Sequence, residues 1–335
     1  MRVAFFSTKE WVRRAFDRAN EDGRFEFTYL DASLEPNTVS LADGHDAVCV
    51  FVNDSVEAQV LDGLVERGVR CVALRCAGFN NVDLHKAQEL GVAVVRVPAY
   101  SPYAVAEHAL GLMLALNRRL HRAFNRVREG NFSLDGLLGF DVHGKTVGVI
   151  GTGRIGRVFC DLMRGFGCRI IAYDKYPDDE LARTGVEYVD LSTLYAESDI
   201  ISLHCPLTHE THHLIDRESI SAMRRGIMIL NTSRGALIDS NAVIDGLKDG
   251  TIGYLGLDVY EEEADLFFED LSDQVIQDDT FVRLQTFPNV LITAHQAFFT
   301  REAVNSIAEV TVANLTEVDE GRELTNAVLP EKVTH

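Results

Sequence analysis

No apolar run in the 335-residue chain approaches the roughly 18 residues that a membrane-spanning helix needs. The start, "MRVAFFSTKEW", contains no signal-peptide apolar region or cleavage site and reads as a first strand. A cytoplasmic protein is therefore expected. Positive charge is scarce: 32 Lys and Arg face 51 Asp and Glu, for a net charge of −19. That balance excludes a basic nucleic-acid footprint. The six cysteines, Cys49, Cys71, Cys76, Cys160, Cys168 and Cys205, include no C-x-x-C pair. In a cytosolic chain they are expected to stay reduced as small core residues. Internal repeats and low-complexity segments are also missing.

What is present suits a soluble two-domain protein. The hydrophobic fraction is 46%, and domains usually run to about 100–200 residues. The first hundred residues alternate short apolar runs with helix-like stretches. Strands are expected at Val3–Phe6, Ala47–Phe51, Cys71–Leu74 and Ala93–Val95, with helices near Lys9–Asn20, Ser55–Glu66 and Leu84–Leu90. That alternation predicts a parallel sheet with crossover helices. No glycine-rich phosphate turn occurs there. Pro102 then opens "SPYAVAEHALGLMLALNRRLHRAF", read as one long, buried apolar helix at a domain boundary or a subunit contact.

A second series begins at Thr146. Strands are expected at Thr146–Ile150, Arg169–Tyr173, Ile200–Leu203, Met228–Leu230, Tyr254–Leu257 and Val290–Ile292, with helices between them. This predicts a second doubly wound sheet. An amphipathic helix from Phe298 comes too late to add a strand and is free to return to the first domain. The acidic run Asp258–Asp279 holds ten carboxylates and reads mostly as a solvated surface insertion.

The segment "TVGVIGTGRIGRVF" places Gly151, Gly153 and Gly156 in a G-x-G-x-x-G pattern between a strand and a helix. The first glycine permits the tight turn, the second lets a pyrophosphate approach the backbone, and the third lets helix and strand pack closely. Asp174 closes the next strand, "RIIAYD", 18 residues past Gly156. It lies where a carboxylate accepts hydrogen bonds from the adenosine ribose. A carboxylate repels a 2′-phosphate, so NAD is expected over NADP, although Lys175 beside it softens that repulsion.

"HETHH", His209 to His213, satisfies H-E-x-x-H. In a metalloprotease the two histidines share one helix face. Pro206 and the preceding strand leave no room for such a helix, so no metal is expected. The segment reads instead as a loop beside the cofactor, with Cys205, Pro206 and Thr211 on the nicotinamide side.

Hydride chemistry needs a cation for the substrate, a proton carrier and a group that tunes it. Arg234 follows the strand in "MILNTSRGALID", and its planar fork suits a carboxylate with a keto oxygen. In "LGLDVYEEEADLF" Asp258 ends a strand and Glu263 lies five residues later. His295 follows the last strand in "VLITAHQAFFT". Imidazole titrates at about 6.5 and a nearby carboxylate favours its protonated form. Glu263 beside His295 would make a proton donor that works near neutral pH.

With these pieces in hand, the chain resembles, over nearly its whole length, the D-isomer-specific 2-hydroxyacid dehydrogenase family. The matching segments are "GVIGTGRIGRVF", "HCPLTHETHHLI", "LNTSRGALID", "LDVYEEE" and "AHQAFFT". Within it, "DLFFEDLSDQVIQDD" and "HQAFFT" resemble the fermentative D-lactate dehydrogenase branch. The resemblance implies that Arg234 binds substrate, that Glu263 pairs with His295, and that His295 donates the proton to pyruvate. Glu261 and Glu262 receive no role. Arg154 and Ile155 match the phosphate turn, and Thr232, Ser233 and Asp258 match further NAD contacts. Ala77 and Gly78, in "RCAGFNNVD", would offer their backbone to the substrate carboxylate, with Tyr100 and Phe298 lining its pocket. Ala294 departs from the usual glycine or proline before the histidine.

The expected architecture is thus two doubly wound parallel-sheet α/β domains with a cleft between them that closes on a hinge. A flavodoxin-like substrate domain would comprise residues 1–100 and 299–335, and a Rossmann NAD domain residues 101–298. The resemblance implies a homodimer or homotetramer. Two other readings are a dehydrogenase for a larger 2-keto acid and an NAD(H)-sensing binding protein. The set of Arg234, Glu263 and His295 argues against the sensor.

Overall fold

The computed structural model describes residues 1–263, 266–268 and 270–330. Ala264, Asp265 and Glu269 of the acidic run, and the tail from 331, lie outside the described residues. The chain forms two compact units, Met1–Ser101 with the chain from Phe299, and Pro102–Phe298.

The first unit carries five strands: β1 Arg2–Phe5, β2 Glu26–Tyr29, β3 Ala47–Val50, β4 Cys71–Leu74 and β5 Ala93–Arg96. They pair in the order β2-β1-β3-β4-β5, all in parallel. This is the flavodoxin-like order. Every residue of β3 and β4 is buried, as expected of strands covered on both faces. The helix Arg301–Asp319 packs on the helix Glu10–Ala19 and on β4 and β5, so the end of the chain completes the first unit's layers. Thr300 caps that helix by accepting the Ala303 amide. Arg75, just past β4, is almost wholly buried; its guanidinium donates to the carbonyls of Phe6, Ser7 and Cys49. It thereby ties the start of the "RCAGFNNVD" loop to the ends of β1 and β3.

The second unit carries β6 Thr146–Ile150, β7 Arg169–Tyr173, β8 Glu187–Tyr188, β9 Ile200–Leu203, β10 Ile227–Asn231, β11 Ile252–Leu257 and β12 Val290–Ile292. Their order is β12-β11-β10-β9-β6-β7-β8, again all parallel. This extends the Rossmann order by one edge strand. Side chains alternate across the sheet. On β10, Ile227 and Ile229 enter a core with Ile201, Leu203 and Leu255, while Met228 and Leu230 face Val147, Ile200 and Met113 on the other side. All six cysteines are free and five are buried. The acidic run is only partly a solvated surface: Phe267 is buried and packs edge-on against Phe281.

Three features depart from the sequence reading. The short strands β2 and β8 were not expected. The apolar segment after Pro102 is also two helices, Pro102–Asn117 and Leu120–Arg128, because Arg119 takes a left-handed conformation at φ 48°. The first helix buries eight residues, among them Ala106, Ala109 and Met113, whereas the second buries none.

Candidate active site

The switch point of the second sheet lies between β6 and β9, where the strand order reverses. Gly151 follows β6 at φ 92°, a conformation that side chains resist. A Cβ there would strike the backbone of His204 and Cys205, so the loops after β6 and β9 meet at this point. A Cβ on Gly156 would run into the Gly151 carbonyl. A Cβ on Gly153 would meet nothing, which leaves the turn open over the N-terminus of the helix Arg154–Gly165. Arg154 and Ile155 form its first turn. Asp174, past β7, accepts from the Thr152 amide at 2.6 Å and the Thr152 hydroxyl at 3.1 Å. Its other oxygen takes the Tyr176 amide at 2.8 Å. Lys175 is held by both oxygens of Glu210, at 2.9 and 3.1 Å.

The loops after β9 and β10 are tied together. The Ser233 hydroxyl donates to the Cys205 carbonyl at 2.6 Å, and the Thr211 hydroxyl donates to the Pro206 carbonyl at 2.7 Å. Burial pushes the Cys205 thiol up to about 12, so it stays protonated. The Thr232 hydroxyl is buried without a hydrogen-bond partner among the described residues. A bound group able to complete that hydroxyl, an open glycine turn at a helix N-terminus and a carboxylate one strand over together fit a dinucleotide. Thr232 and Ser233 would hold its nicotinamide end, and Gly151, Gly153 and Asp174 its pyrophosphate and ribose.

Arg234 follows in extended backbone, and Asn231 fixes it by donating to its carbonyl at 2.8 Å. Its guanidinium donates to the Ser233 carbonyl at 2.7 Å, and no carboxylate among the described residues forms an ion pair with it. The next residue, Gly235, abuts the backbone of Tyr260 and Glu261 with no space for a Cβ. The segments after β10 and β11 are therefore in direct contact.

Glu263 and His295 meet. Glu263 Oε1 lies 2.7 Å from His295 Nδ1, and its Oε2 accepts the Tyr260 amide at 3.0 Å. A carboxylate only accepts, so Nδ1 carries the hydrogen and Nε2 is left for chemistry. His295 is left-handed at φ 49°, a strained conformation for a residue with a side chain. Asp258 holds it there. The His295 amide donates to the Asp258 carbonyl at 2.7 Å. The Asp258 carboxylate accepts the Gln296 and Ala297 amides at 2.9 and 2.8 Å and the Thr293 hydroxyl at 2.5 Å. His108, from the helix Pro102–Asn117, completes the group at 3.0 Å from Thr293 Oγ1 and 3.4 Å from Asp258 Oδ1. Burial works to raise the Asp258 pKa, but the bonds from His108, Thr293 and the Ala297 amide outweigh it and hold the carboxyl below its ordinary value. Asp258, expected to touch the cofactor, is 0% exposed and serves as the hub of the His295 loop.

Phe298 is buried at the end of the unit. Ala77, Gly78 and Tyr100 belong to the first unit, past the carboxyl ends of β4 and β5, where Arg96 donates to the Ala77 carbonyl at 2.8 Å. Sequence reasoning missed His108, whose only signal is an imidazole in a mostly apolar helix. It also missed Glu261, which pairs with His213 at 2.5 Å. His213 thus faces a carboxylate from another loop, and His209 does not join them.

Residues 110–297 match the family described as D-isomer specific 2-hydroxyacid dehydrogenase, NAD binding domain. D-lactate dehydrogenase of Escherichia coli is 54% identical over 329 residues, covering 98% of this chain and 100% of that protein. The solved apo-structure of the E. coli enzyme superposes with a TM-score of 0.90 at 51% identity, over 98% of this chain and 100% of that one. A pyruvate reductase of Chlamydomonas reinhardtii superposes with a TM-score of 0.92 at 45% identity, over 97% and 98% of the two chains. The chain belongs to the D-isomer specific 2-hydroxyacid dehydrogenase family. It is an NAD-dependent oxidoreductase.

Proposed function

We propose that this enzyme interconverts pyruvate and D-lactate, with His295 as the acid and base. The observation that carries the reading is the His295–Glu263 pair, set in a strained loop on the sheet that bears the glycine turn. The full-length similarity to D-lactate dehydrogenases and to a pyruvate reductase supports the substrate. NADH, when bound, supplies the hydride that goes to the carbonyl carbon. His295 gives the proton on Nε2 to the carbonyl oxygen, and Glu263, bound at Nδ1, orients the ring for this transfer. Arg234, with no carboxylate partner among the described residues, offers its fork to the substrate carboxylate and keto oxygen. Ala77, Gly78, Tyr100 and Phe298 are proposed substrate contacts. The phosphates are assigned to Gly151, Gly153, Arg154, Ile155 and Gly156, and the ribose to Asp174. The nicotinamide side is assigned to Cys205, Pro206, Thr211, Thr232, Ser233 and Asp258, the last acting through the loop it anchors. On the same reading residues 1–100 and 299–335 handle substrate and 101–298 handle NAD.

Self-association is part of the proposal. The helix Leu120–Arg128 buries no residue and exposes Leu120, Phe124 and Val127, and the following loop exposes Phe132, Leu134 and Leu138, the last two at 83% and 86%. So many large apolar side chains exposed within one short stretch mark a protein contact, and a second copy of the chain suits it. No helix among the described residues is long and apolar enough to cross a membrane. The free cysteines support a reducing, cytoplasmic setting.

The test is NADH oxidation by the purified protein with pyruvate, followed by chiral analysis of the lactate. Turnover giving D-lactate is the expected result. Turnover only with a bulkier 2-keto acid would overturn the substrate assignment, and tight NADH binding without turnover on any 2-keto acid would overturn the enzymatic one.

A further inference from the structure

The residues that imitate a metalloprotease motif do gather metal-binding groups, in a different combination. His212 and His213 lie in the loop after β9, and Glu261 lies after β11. One donor atom from each of the three lies within 4.8 Å of the others. His213 is left-handed at φ 50°, a strained conformation for a residue with a side chain. Its amide donates to the Ala236 carbonyl at 2.8 Å, which fixes the backbone. Its Nε2 points at Glu261 Oε1, 2.5 Å away. The His212 ring stacks on the His213 ring with centroids 3.9 Å apart, so both imidazoles sit on one side of the loop. The Ser240 hydroxyl donates to the other Glu261 oxygen at 3.2 Å and orients that carboxylate. Such an outer hydrogen bond is what metal-ligating carboxylates usually have. His212 is exposed, so an ion reaches the site from solvent.

We propose that His212, His213 and Glu261 form a binding site for a Zn²⁺-like dication, distinct from the His295–Glu263 pair. Two imidazoles and one carboxylate are the donor set that leaves zinc an open position for water, with ligand bonds of about 2.0–2.2 Å. Mg²⁺ and Ca²⁺ demand more oxygen ligands than this cluster offers. On binding, the ion takes the place of the His213–Glu261 hydrogen bond and links the β9 loop to the segment that leads, two residues on, to Glu263.

The experiment is calorimetric titration of the chelator-stripped, full-length protein with Zn²⁺ near neutral pH, with thermal unfolding followed in parallel. One equivalent should bind and raise Tm, since a ligand that binds the native state stabilises it. His212→Ala and Glu261→Gln should each weaken binding by about tenfold or more. His209→Ala and His295→Ala should leave the affinity unchanged. His212 is exposed, so His212→Ala should fold and turn over like the wild type without metal. Absence of saturable binding, or an affinity unaffected by both His212→Ala and Glu261→Gln, would overturn the site. Loss of binding in His295→Ala would move the ion to the catalytic pair, and loss in His209→Ala would move it to the H-E-x-x-H pair.

Discussion

Glu263 holds His295 by Nδ1 at 2.7 Å and is itself held by the Tyr260 amide at 3.0 Å, so the imidazole is oriented by a carboxylate that cannot swing away. A proton carrier positioned in this way contributes roughly 10²–10⁴-fold to rate. His295→Ala should therefore lower kcat by about 10²–10⁴-fold while NADH affinity, measured by fluorescence titration, stays near the wild-type value. Glu263→Gln should lower kcat by about 10²-fold, because the amide no longer orients the ring as the carboxylate does. Unchanged turnover in either variant would remove the pair from the mechanism.

Among the described residues, no carboxylate pairs with the Arg234 guanidinium. Arg234→Lys preserves the charge but loses the fork. Charged hydrogen bonds are worth about 1.5–3 kcal/mol, so kcat/KM for pyruvate should fall by roughly 10–100-fold. Steady-state kinetics check this; an equal kcat/KM would mean that charge alone suffices.

Asp174 accepts three hydrogen bonds from its own unit, and Glu210 occupies Lys175. The lysine is thus engaged elsewhere, and on the proposed reading the aspartate would govern discrimination against a 2′-phosphate. Asp174→Ala should shift the NADPH-to-NADH preference by about fivefold, the effect of roughly 1 kcal/mol of repulsion between charges in water. An unaltered preference would take the ribose role away from Asp174.

Asp258 anchors the His295 loop from a fully buried position. Asp258→Ala should cost about 3 kcal/mol by stranding several donors, read from urea unfolding. The folded-state pKa of Asp258 is lowered, and an unfolded aspartate titrates at about 3.9. Its contribution is therefore fully present above the unfolded value and lost as pH falls through the lower, folded one. The stability gap between wild type and variant should be flat from about pH 5 to 7 and shrink below about pH 4. A gap that grows on acidification would contradict the assignment.

The apolar patch around Phe124 and Leu134 gives a simple solution test. The Phe124→Glu, Leu134→Glu double variant should sediment as a smaller species than the wild type. A wild type that is already monomeric would overturn the proposed self-association.

Much of this enzyme was legible along the chain because its signals are local. Gly151, Gly153, Gly156 and Asp174 could be placed from a strand, a turn, a helix and a second strand in sequence, and long apolar runs such as "IMILN" announce buried parallel strands on their own. Arg234, Glu263 and His295 were marked as residues of the right chemistry just past strands, and the family resemblance supplied their roles. Only the tertiary structure decided which groups meet. β2 and β8 read EFTY and EY, without the apolar run that marks the other strands, and they pair as edges on β1 and β7. The break at Arg119 is a left-handed residue between two helices, with no proline or glycine at that point to announce it. Asp258 and Thr293 lie 35 residues apart, and His213 and Glu261 lie 48 apart. Such pairs depend on the register of parallel strands, in which hydrogen bonds across β10, β11 and β12 bring distant loop residues to one edge of the sheet. That register is a property of the folded sheet and leaves no local trace in the order of the amino acids.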